Sequence, residues 1–182
     1  MTAMAVLSAR YCFEQLRQIY PTLPAEAETT PRMHEFILTL DEEDFRRLEE
    51  SGIPRALIIT RIGKLFLDFG FHAPTVAWPE TFGLMIEPTE SYTKTELDRF
   101  CEAVAAMRRM IREHPGVLAQ VPLFTPVDRV DEVDANRHLA LHEALTELPE
   151  PHPNRLKPSE IGKLPISEVY DRIVEAGRKA AP

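Results

Sequence analysis

The segment FGFHAPTVAWPETFGLMIEPTESYTKTELDRF, residues 69–100, contains the signals that decide the fold. Gly70 follows an apolar helical stripe, and we expect it to end that helix because glycine tolerates the left-handed conformation found there. Residues 71–78 form an extended run whose proline predicts an edge strand or a loop leading into one. Residues 82–87 are a short apolar run, typical of a buried strand, and a proline ends it. The segment therefore predicts a helix followed by two strands.

A long helix is predicted after these strands. Thr93 and Glu96 have the spacing of a capping box, and the helix they open should run to about Glu113. Apolar residues recur with helical spacing at Leu97, Phe100, Cys101, Val104 and Ile111. Three arginines lie near its end: Arg108, Arg109 and Arg112. We interpret them as a charge cluster that suits the negative end of a helix, and not as an anion-binding site.

Residues upstream predict the rest of a small mixed fold. An amphipathic helix is expected over residues 5–20, with its apolar side at Leu7, Tyr11, Phe13 and Leu16. Within residues 33–40, alternation places Phe36, Leu38 and Leu40 on one face of a strand. Acids at 41–44 open a helix, and Pro54 opens another that buries Ile58, Ile62, Leu65, Phe66 and Phe69. The expected fold class is α+β, with an antiparallel or mixed sheet of about three to four strands and helices on one face.

The composition changes after residue 114. Residues 1–114 are predicted to be the α+β domain, whereas residues 115–182 are rich in proline and predicted to be an extension that packs on this domain or on a partner. The extension should contain one or two helices, around residues 131–148 and 167–179. The second has an apolar side of Val169, Tyr170, Ile173 and Val174. We expect that side to dock on the domain, with a dimer contact as the alternative.

Composition excludes several classes of function. The formal net charge is −8, and neither half of the chain has the basic surface that phosphate groups require, so nucleic acid is not an expected partner. No apolar run approaches the roughly 20 residues that span a bilayer, and the N-terminus shows no signal peptide. A cytoplasmic protein that binds no membrane is therefore expected. The two cysteines, Cys12 and Cys101, are predicted to be reduced thiols on helices.

Four segments together resemble the C-terminal domain of glycine decarboxylase, which is the P-protein of the glycine cleavage system (glycine dehydrogenase, aminomethyl-transferring). They are residues 33–38, 69–75, 84–91 and 96–100, in matching order and spacing over roughly residues 3–114. The resemblance implies the small α+β domain of fold-type I pyridoxal-phosphate enzymes, without the large domain that binds the cofactor. After residue 115 the tail of the family is not recognisable.

The resemblance also implies which chemistry this chain lacks. The family holds pyridoxal phosphate as a Schiff base on a lysine of the large domain, in a motif similar to His-Lys-Thr. None of the five lysines here follows a histidine, and the chain has no glycine-rich phosphate loop. We therefore expect no catalytic residue, no cofactor-binding residue and no covalent cofactor in this chain. Pyridoxal phosphate would take part only if a large-domain partner supplied the lysine.

Seven residues are predicted as ligand or partner contacts: His34, His72, Thr75, Glu87, Thr89, Glu90 and Ser91. By the resemblance, the loop with His72 and Thr75 looks toward the active-site cleft, and a rigid strand entry is the alternative. The acids at 87 and 90 are either a carboxylate pair or the solvated acids of a turn. His138 and His142, four apart on a predicted helix, are a metal candidate without an evident third ligand, so a surface pair is the favoured interpretation.

Two functions remain open from the sequence. The first is a non-catalytic binding or assembly module of P-protein descent. Such a module would pair with a second copy, with a separately encoded large-domain chain or with the lipoyl-bearing H-protein. The alternative is one subunit of a split pyridoxal-phosphate-dependent glycine decarboxylase, active only with a large-domain chain. In neither case is this chain by itself expected to be a complete enzyme.

Overall fold

The computed structural model describes residues 2–29, 33–79, 81–126, 131–139 and 154–180. Within these ranges the helices are α1 (Thr2–Leu16), α2 (Glu42–Glu50), α3 (Arg55–Asp68), α4 (Lys94–Glu113), α5 (Glu132–Arg137), α6 (Pro158–Ile161) and α7 (Ile166–Ala180). The strands are β1 (Thr22–Leu23), β2 (Phe36–Thr39), β3 (Thr75–Val76) and β4 (Gly83–Ile86). Short 3-10 turns cover Ala25–Glu28 and Pro115–Ala119. In this described part of the chain, no helix is long and apolar enough to cross a bilayer.

The four strands form one antiparallel sheet in the order β1-β2-β4-β3. At its centre β2 pairs with β4, so that Phe36 lies opposite Ile86 and Leu38 lies opposite Leu84. These four side chains are buried, because alternation along both strands directs them to the face that α3 and α4 cover. The predicted α+β class is confirmed. The short strand β3 lies at the edge of the sheet, where its preceding proline is tolerated.

Local capping signals set the ends of the helices. The Asp41 carboxylate accepts a hydrogen bond from the backbone N–H of Asp44 and caps α2. The predicted capping box of α4 is confirmed: the Glu96 N–H donates to the Thr93 hydroxyl at 3.3 Å, and the Thr93 N–H donates to the Glu96 carboxylate at 2.7 Å. Gly70 follows α3 with a φ of +82°, a conformation that glycine adopts without strain. The predicted end of α3 is therefore confirmed as well.

Helix α4 lies at the centre of the core, and α1, α2 and α7 all pack against it. Its predicted apolar stripe is buried except for Phe100, which is half-buried. The last helix docks on the domain as predicted, since Val169, Tyr170, Ile173 and Val174 are all buried in the same core. Val117 and Leu118 also join it. Parts of the extension therefore share one core with residues 1–114, while the domain boundary at residue 114 stays a prediction.

Helix α1 buries Phe13 and Leu16 of its predicted apolar side, but not Leu7. The helix begins at Thr2 and directs Leu7 outward with 58% of its surface exposed, whereas Ser8, Ala9 and Cys12 are buried. The prediction for Leu7 is wrong because the buried face of α1 includes these small residues together with Phe13 and Leu16, which leaves Leu7 on the outer side. Hydrophobic periodicity alone overlooks a face of this kind.

The helix predicted around residues 131–148 is only partly within the described residues. Its observed part, α5, runs over Glu132–Arg137, and the Asp131 carboxylate caps it by accepting from the backbone N–H groups of Val133 and Asp134. Residues 140–150 lie outside the described ranges, so the remainder of that prediction is not tested.

A buried network of ion pairs joins α4 to the start of α2. Arg108 is only 5% exposed, and its guanidinium lies 2.6 Å from the Asp44 carboxylate and also binds Asp41 and the carbonyl oxygen of Ile19. Asp44 is buried too, and it pairs with Arg112 at 3.1 Å. The interpretation as a helix-end charge cluster is wrong for Arg108, because a guanidinium withdrawn from water requires these carboxylates for compensation.

A buried carboxylate fastens the segment after α4 to the end of α3. Asp68 is fully buried and accepts hydrogen bonds from the backbone N–H of Leu123 at 2.8 and 2.9 Å and from that of Phe124 at 2.8 Å. Burial raises the pKa of Asp68 to about 7, while the two N–H groups oppose this shift by stabilising the charged form. The contact therefore titrates near neutral pH.

Replacing Arg108 with Met should destabilise the fold strongly, because it removes the buried cation and leaves the carboxylates without full compensation. We expect the free energy of unfolding, measured by urea denaturation, to fall by about 3–5 kcal/mol. As a control, Arg46→Ala breaks an ion pair with Glu50 at 3.9 Å whose partners are both exposed, and it should cost at most about 1 kcal/mol. Equal losses in the two variants would contradict the importance of the buried network.

Asp68→Asn should remove a pH dependence of stability. Because the raised pKa of Asp68 lets the folded state hold a proton that the unfolded chain releases, its contribution is complete below about pH 4 and is lost as pH rises towards about 7. The free energy of unfolding of the wild type, minus that of the variant, should thus fall by on the order of 4 kcal/mol over this interval. Urea denaturation at a series of pH values measures the difference.

The control for this series is Asp171→Asn, which removes an exposed carboxylate on α7 and should leave the wild-type pH dependence unchanged. A difference between wild type and Asp68→Asn that stays constant with pH would show that the pKa of Asp68 is not raised.

Candidate functional site

A cavity of about 370 Å³ lies where β3, the end of β4 and the start of α4 meet, and we call it the His72 cavity. Its base is aromatic, since the rings of Phe71 and Phe100 meet edge to face with their centroids 5.5 Å apart. Its polar lining residues are His72, Thr75, Glu87, Tyr92, Glu96 and Arg99. An apolar base with a few polar groups is the usual composition of a site for a small ligand.

Neighbouring backbone groups hold two of these polar side chains. His72 Nδ1 lies 3.0 Å from the carbonyl oxygen of Ala73. The Arg99 guanidinium donates to the carbonyl oxygens of Leu164 at 2.7 Å and Ile161 at 2.9 Å. Arg99 therefore fastens the segment between α6 and α7 beside the cavity, and part of its hydrogen-bonding capacity is already used.

A second cavity, of about 320 Å³, shares Glu87 and Pro88 with the first, and we call it the His34 cavity. Its other lining residues are Thr2, Ala5, His34, Thr89 and Glu90. His34 Nε2 lies 3.6 Å from Glu87 Oε1, and both side chains are about half-exposed. Because Glu87 lines both cavities, it is the residue through which the electrostatics of one can affect the other.

Six of the seven predicted contact residues line these two cavities. Ser91 does not; its backbone N–H donates to the Thr89 hydroxyl at 3.3 Å in the turn before α4. Glu87 and Glu90 are exposed, as the turn interpretation expects for solvated acids. Tyr92 also lines the His72 cavity, although no motif of the sequence indicated it as a contact residue. The binding role of all these residues stays a prediction.

The metal candidate is incompletely described. His138 is exposed, and its Nδ1 pairs with the Asp134 carboxylate at 2.8 Å. Among the residues that the structure describes, no three His, Cys, Asp or Glu side chains are grouped so that they could hold a metal ion. His142 lies outside those residues, so the predicted pair is not tested.

Sequence reasoning missed an exposed apolar surface at the turn between β3 and β4. Trp78 is 86% exposed, and Val76 and Phe82 are exposed beside it in the chain; we call these three residues the hairpin patch. The patch has a rigid base, since Phe82 meets Phe45 edge to face at 5.8 Å and the Arg55 guanidinium lies over both rings. The available signal was a tryptophan next to a proline at the end of an edge strand.

A family model described as "Glycine dehydrogenase, C-terminal domain" matches residues 1–119. The chain belongs to this family. The match extends from α1 through α4 and the turn after it, so both cavities and the hairpin patch consist of matched sequence, apart from the contacts that α6 and α7 add. The resemblance seen in the four ordered segments is thereby confirmed.

Individual relatives are glycine dehydrogenases. The glycine dehydrogenase (decarboxylating) of Thermosynechococcus vestitus is 47% identical over 112 residues, which is 62% of this chain and 11% of the relative. That of Nostoc punctiforme is 43% identical over 112 residues, or 62% of this chain and 10% of the relative. The "probable glycine dehydrogenase (decarboxylating) subunit 2" of Chlorobaculum tepidum is 39% identical over 137 residues, or 74% of this chain and 26% of the relative. The chain thus spans about a tenth to a quarter of the relatives it matches.

The residues of the two cavities do not fit a covalently bound pyridoxal phosphate. All five lysines of the chain are among the described residues, and none of them lines either cavity. Lys94 pairs with Asp98 at 2.7 Å and Lys179 pairs with Glu175 at 2.6 Å. A Schiff base requires a lysine amine at the site, so these cavities can supply contacts to a ligand but not the covalent link.

Glu87→Gln should perturb both His34 and His72, because the Glu87 side chain lines both cavities. In NMR spectra of protein with ¹⁵N-labelled histidine, we expect both imidazole signals to move, and that of His34 to move more because of its 3.6 Å contact. Glu90→Gln is the matched control: Glu90 lines the His34 cavity alone, so the His72 signal should stay in place. An unchanged His72 signal in Glu87→Gln would contradict the claim that the Glu87 side chain affects both cavities.

Proposed function

We propose that this chain acts as a non-catalytic binding and assembly module of a glycine decarboxylase, and that it docks through the hairpin patch onto the large domain that holds the cofactor. Membership of the glycine dehydrogenase C-terminal family supports the proposal. The observation that carries it is the pairing of an exposed apolar patch with cavities that contain no lysine. In this proposal, this domain contributes contacts to the ligand or partner, and the large domain contributes the lysine amine that holds the cofactor.

The hairpin patch has the properties of a docking surface. Apolar side chains that are exposed together on a soluble domain mark sites of interaction. Tryptophan is enriched among the residues that dominate binding energy, because a large ring removes much apolar area from water on contact. Phe82, at the other end of the turn that carries Trp78, is held by its ring contact with Phe45, so one side of the patch is already fixed before docking.

In this proposal the His72 cavity opens toward the cofactor site of the large domain. Thr75 lines the cavity and Val76, the next residue of β3, belongs to the hairpin patch, so both features lie at the edge of the sheet that β3 forms. A large domain that covers this edge would contact both. The aromatic base formed by Phe71 and Phe100 suits an apolar chain with a reactive end, such as the lipoyl arm of the H-protein. His72 and Glu87 at the rim then contact polar groups of the substrate or of that arm.

A second candidate function is one subunit of a split pyridoxal-phosphate-dependent glycine decarboxylase. The names of two relatives favour it, since those of Chlorobaculum tepidum and Caldanaerobacter subterraneus, each 39% identical over 137 residues, are called subunit 2. A numbered subunit implies a second chain in those proteins. Under this candidate the assembled chains would decarboxylate glycine and transfer the aminomethyl group to the lipoyl arm, with the lysine supplied by the large-domain chain.

Trp78→Ala should weaken docking onto a glycine decarboxylase large domain about tenfold or more, because it removes the main apolar anchor of the patch. The test partner is the Thermosynechococcus vestitus enzyme without the region that this chain matches, loaded with pyridoxal phosphate, and isothermal titration calorimetry measures the Kd. Leu139→Ala is the control, since Leu139 is exposed and apolar but lies outside the patch. It should leave the Kd within about twofold of the wild-type value.

Glycine–bicarbonate exchange in the same mixtures, with H-protein added, separates the two functions. Docking without exchange supports the assembly module, whereas exchange that requires both chains supports the split enzyme. Absence of docking, or equal weakening by the two substitutions, would contradict a role for the hairpin patch. Gel filtration of the chain alone shows whether a second copy takes the place of the large domain.

A further inference from the structure

Two thiols that are distant in the sequence meet between α1 and α4. Cys12 is fully buried and Cys101 is 8% exposed, and neither forms a disulfide. The side chains of Cys12 and Cys101 interact with each other at this interface, where α1 packs on α4. The sequence predicted reduced thiols on helices, but it gave no indication that the two would be neighbours.

Contacts on both sides of the pair hold the helices in register. The Tyr11 hydroxyl donates to the Asp98 carboxylate before the pair, and the Tyr20 hydroxyl donates to the Val104 carbonyl oxygen at 2.9 Å after it. From the first contact to the second, the contacting residue moves from 11 to 20 in one segment and from 98 to 104 in the other, so the two segments run side by side in the same direction. Ala9 and Ala103, both fully buried, are small enough to let the two helices approach closely. The neighbouring positions of Cys12 and Cys101 thus follow from the six other residues of this interface.

We propose that Cys12 and Cys101 form a reversible disulfide when the protein meets a peroxide, and that this bond joins α1 covalently to α4. The proposal is independent of the proposed function, because it concerns the helix interface and not the hairpin patch. No residue of either cavity takes part in the bond.

The chemistry balances with peroxide as the oxidant. The Cys101 thiolate attacks one oxygen of the peroxide, the O–O bond breaks, and Cys101 becomes a sulfenic acid while hydroxide leaves and takes up a proton. The Cys12 sulfur then attacks the Cys101 sulfur, a disulfide forms and the sulfenic oxygen leaves as water. In total the two thiols lose two electrons and two protons, and the peroxide is reduced to two molecules of water.

The surroundings of the two thiols assign the order of these steps. Cys101 is the more exposed of the pair, so it is the one that peroxide reaches first. The hydrogen bond from Cys12 lowers the pKa of Cys101, which favours the nucleophilic thiolate, while the same bond and burial raise the pKa of Cys12. Burial and, to a smaller extent, the negative charge of Asp98 oppose this lowering of the pKa of Cys101. Cys12 is therefore the resolving thiol.

The bond would connect the two helices that border the cavities. Helix α1 supplies Thr2 and Ala5 to the His34 cavity, and α4 supplies Leu97 and Phe100 to the His72 cavity. A covalent link between these helices restricts their relative movement and closes a long loop in the unfolded chain. Both effects favour the folded state, so the oxidised protein should be the more stable form.

Peptide mapping of the full chain tests the proposal. The protein is treated with hydrogen peroxide or with dithiothreitol, alkylated and digested with trypsin without reduction. We expect peroxide to yield a cross-linked pair of peptides, residues 11–17 with residues 100–108, lighter than the sum of the two by two hydrogen atoms. The Tm of the oxidised protein should exceed that of the reduced protein by about 5–15 °C.

Cys12→Ala and Cys101→Ala are the matched controls. Each should lose both the cross-linked peptides and the rise in Tm on oxidation, and the comparison of oxidised with reduced protein within one variant is unaffected by a change in basal stability. Dithiothreitol should reverse the wild-type change. The proposal is overturned if peroxide leaves both wild-type thiols alkylatable, oxidises one to a sulfinic acid without cross-linking, or links different chains together. The wild-type peptide map decides even where a variant folds poorly.

Discussion

The burial of Arg108 against Asp41 and Asp44 places the helices of this domain relative to one another. Asp41 caps α2, Asp44 lies in the first turn of α2, and the same guanidinium reaches the carbonyl oxygen of Ile19 just after α1. One cation on α4 therefore binds groups at the end of α1 and at the start of α2. Because a guanidinium removed from water is stable only with such partners, few other arrangements of α1, α2 and α4 are compatible with its position.

Helix α4 connects this network to the candidate site. Its C-terminal part carries Arg108 and packs against the start of α2, and its first turns border the His72 cavity through Leu97 and Phe100. Glu87, at the end of the central strand β4, lies between the two cavities. The sheet and α4 therefore position the predicted contact residues together, although those residues come from three separate segments of the sequence.

Polar contacts with backbone groups hold the proline-rich extension in place. Asp68 binds the N–H groups of Leu123 and Phe124, and Arg99 binds the carbonyl oxygens of Ile161 and Leu164. Such bonds do not depend on the identity of the partner side chains, so a segment with little regular structure can still dock in one position. Together with the apolar face of α7, they cover one side of the domain. The hairpin patch, where Trp78 is 86% exposed, is not covered by any of the residues that the structure describes.

The sequence by itself determined the local elements and the family. Three kinds of local pattern were predicted correctly: the alternation at Phe36 and Leu38, the helical stripes of α3 and α7, and the capping box at Thr93. Each depends on residues close together in the chain, so it can be recognised from the sequence alone. The order of four short motifs was enough to indicate the glycine dehydrogenase C-terminal family. Most of the candidate site could also be named, because its residues lie within those motifs.

Only the tertiary structure decided which faces meet. The pairing of Arg108 with Asp44, of Asp68 with the segment at Leu123 and of Cys12 with Cys101 joins residues far apart in the chain. Periodicity reports that a helix has a buried face, but it does not report which charge or thiol lies on the facing element. Leu7 shows the same limit, since the buried face of α1 includes the small polar or weakly apolar residues Ser8, Ala9 and Cys12 and leaves this large apolar side chain exposed. The sharing of Glu87 by two cavities likewise follows from the packing of α1 and α4 around the end of β4.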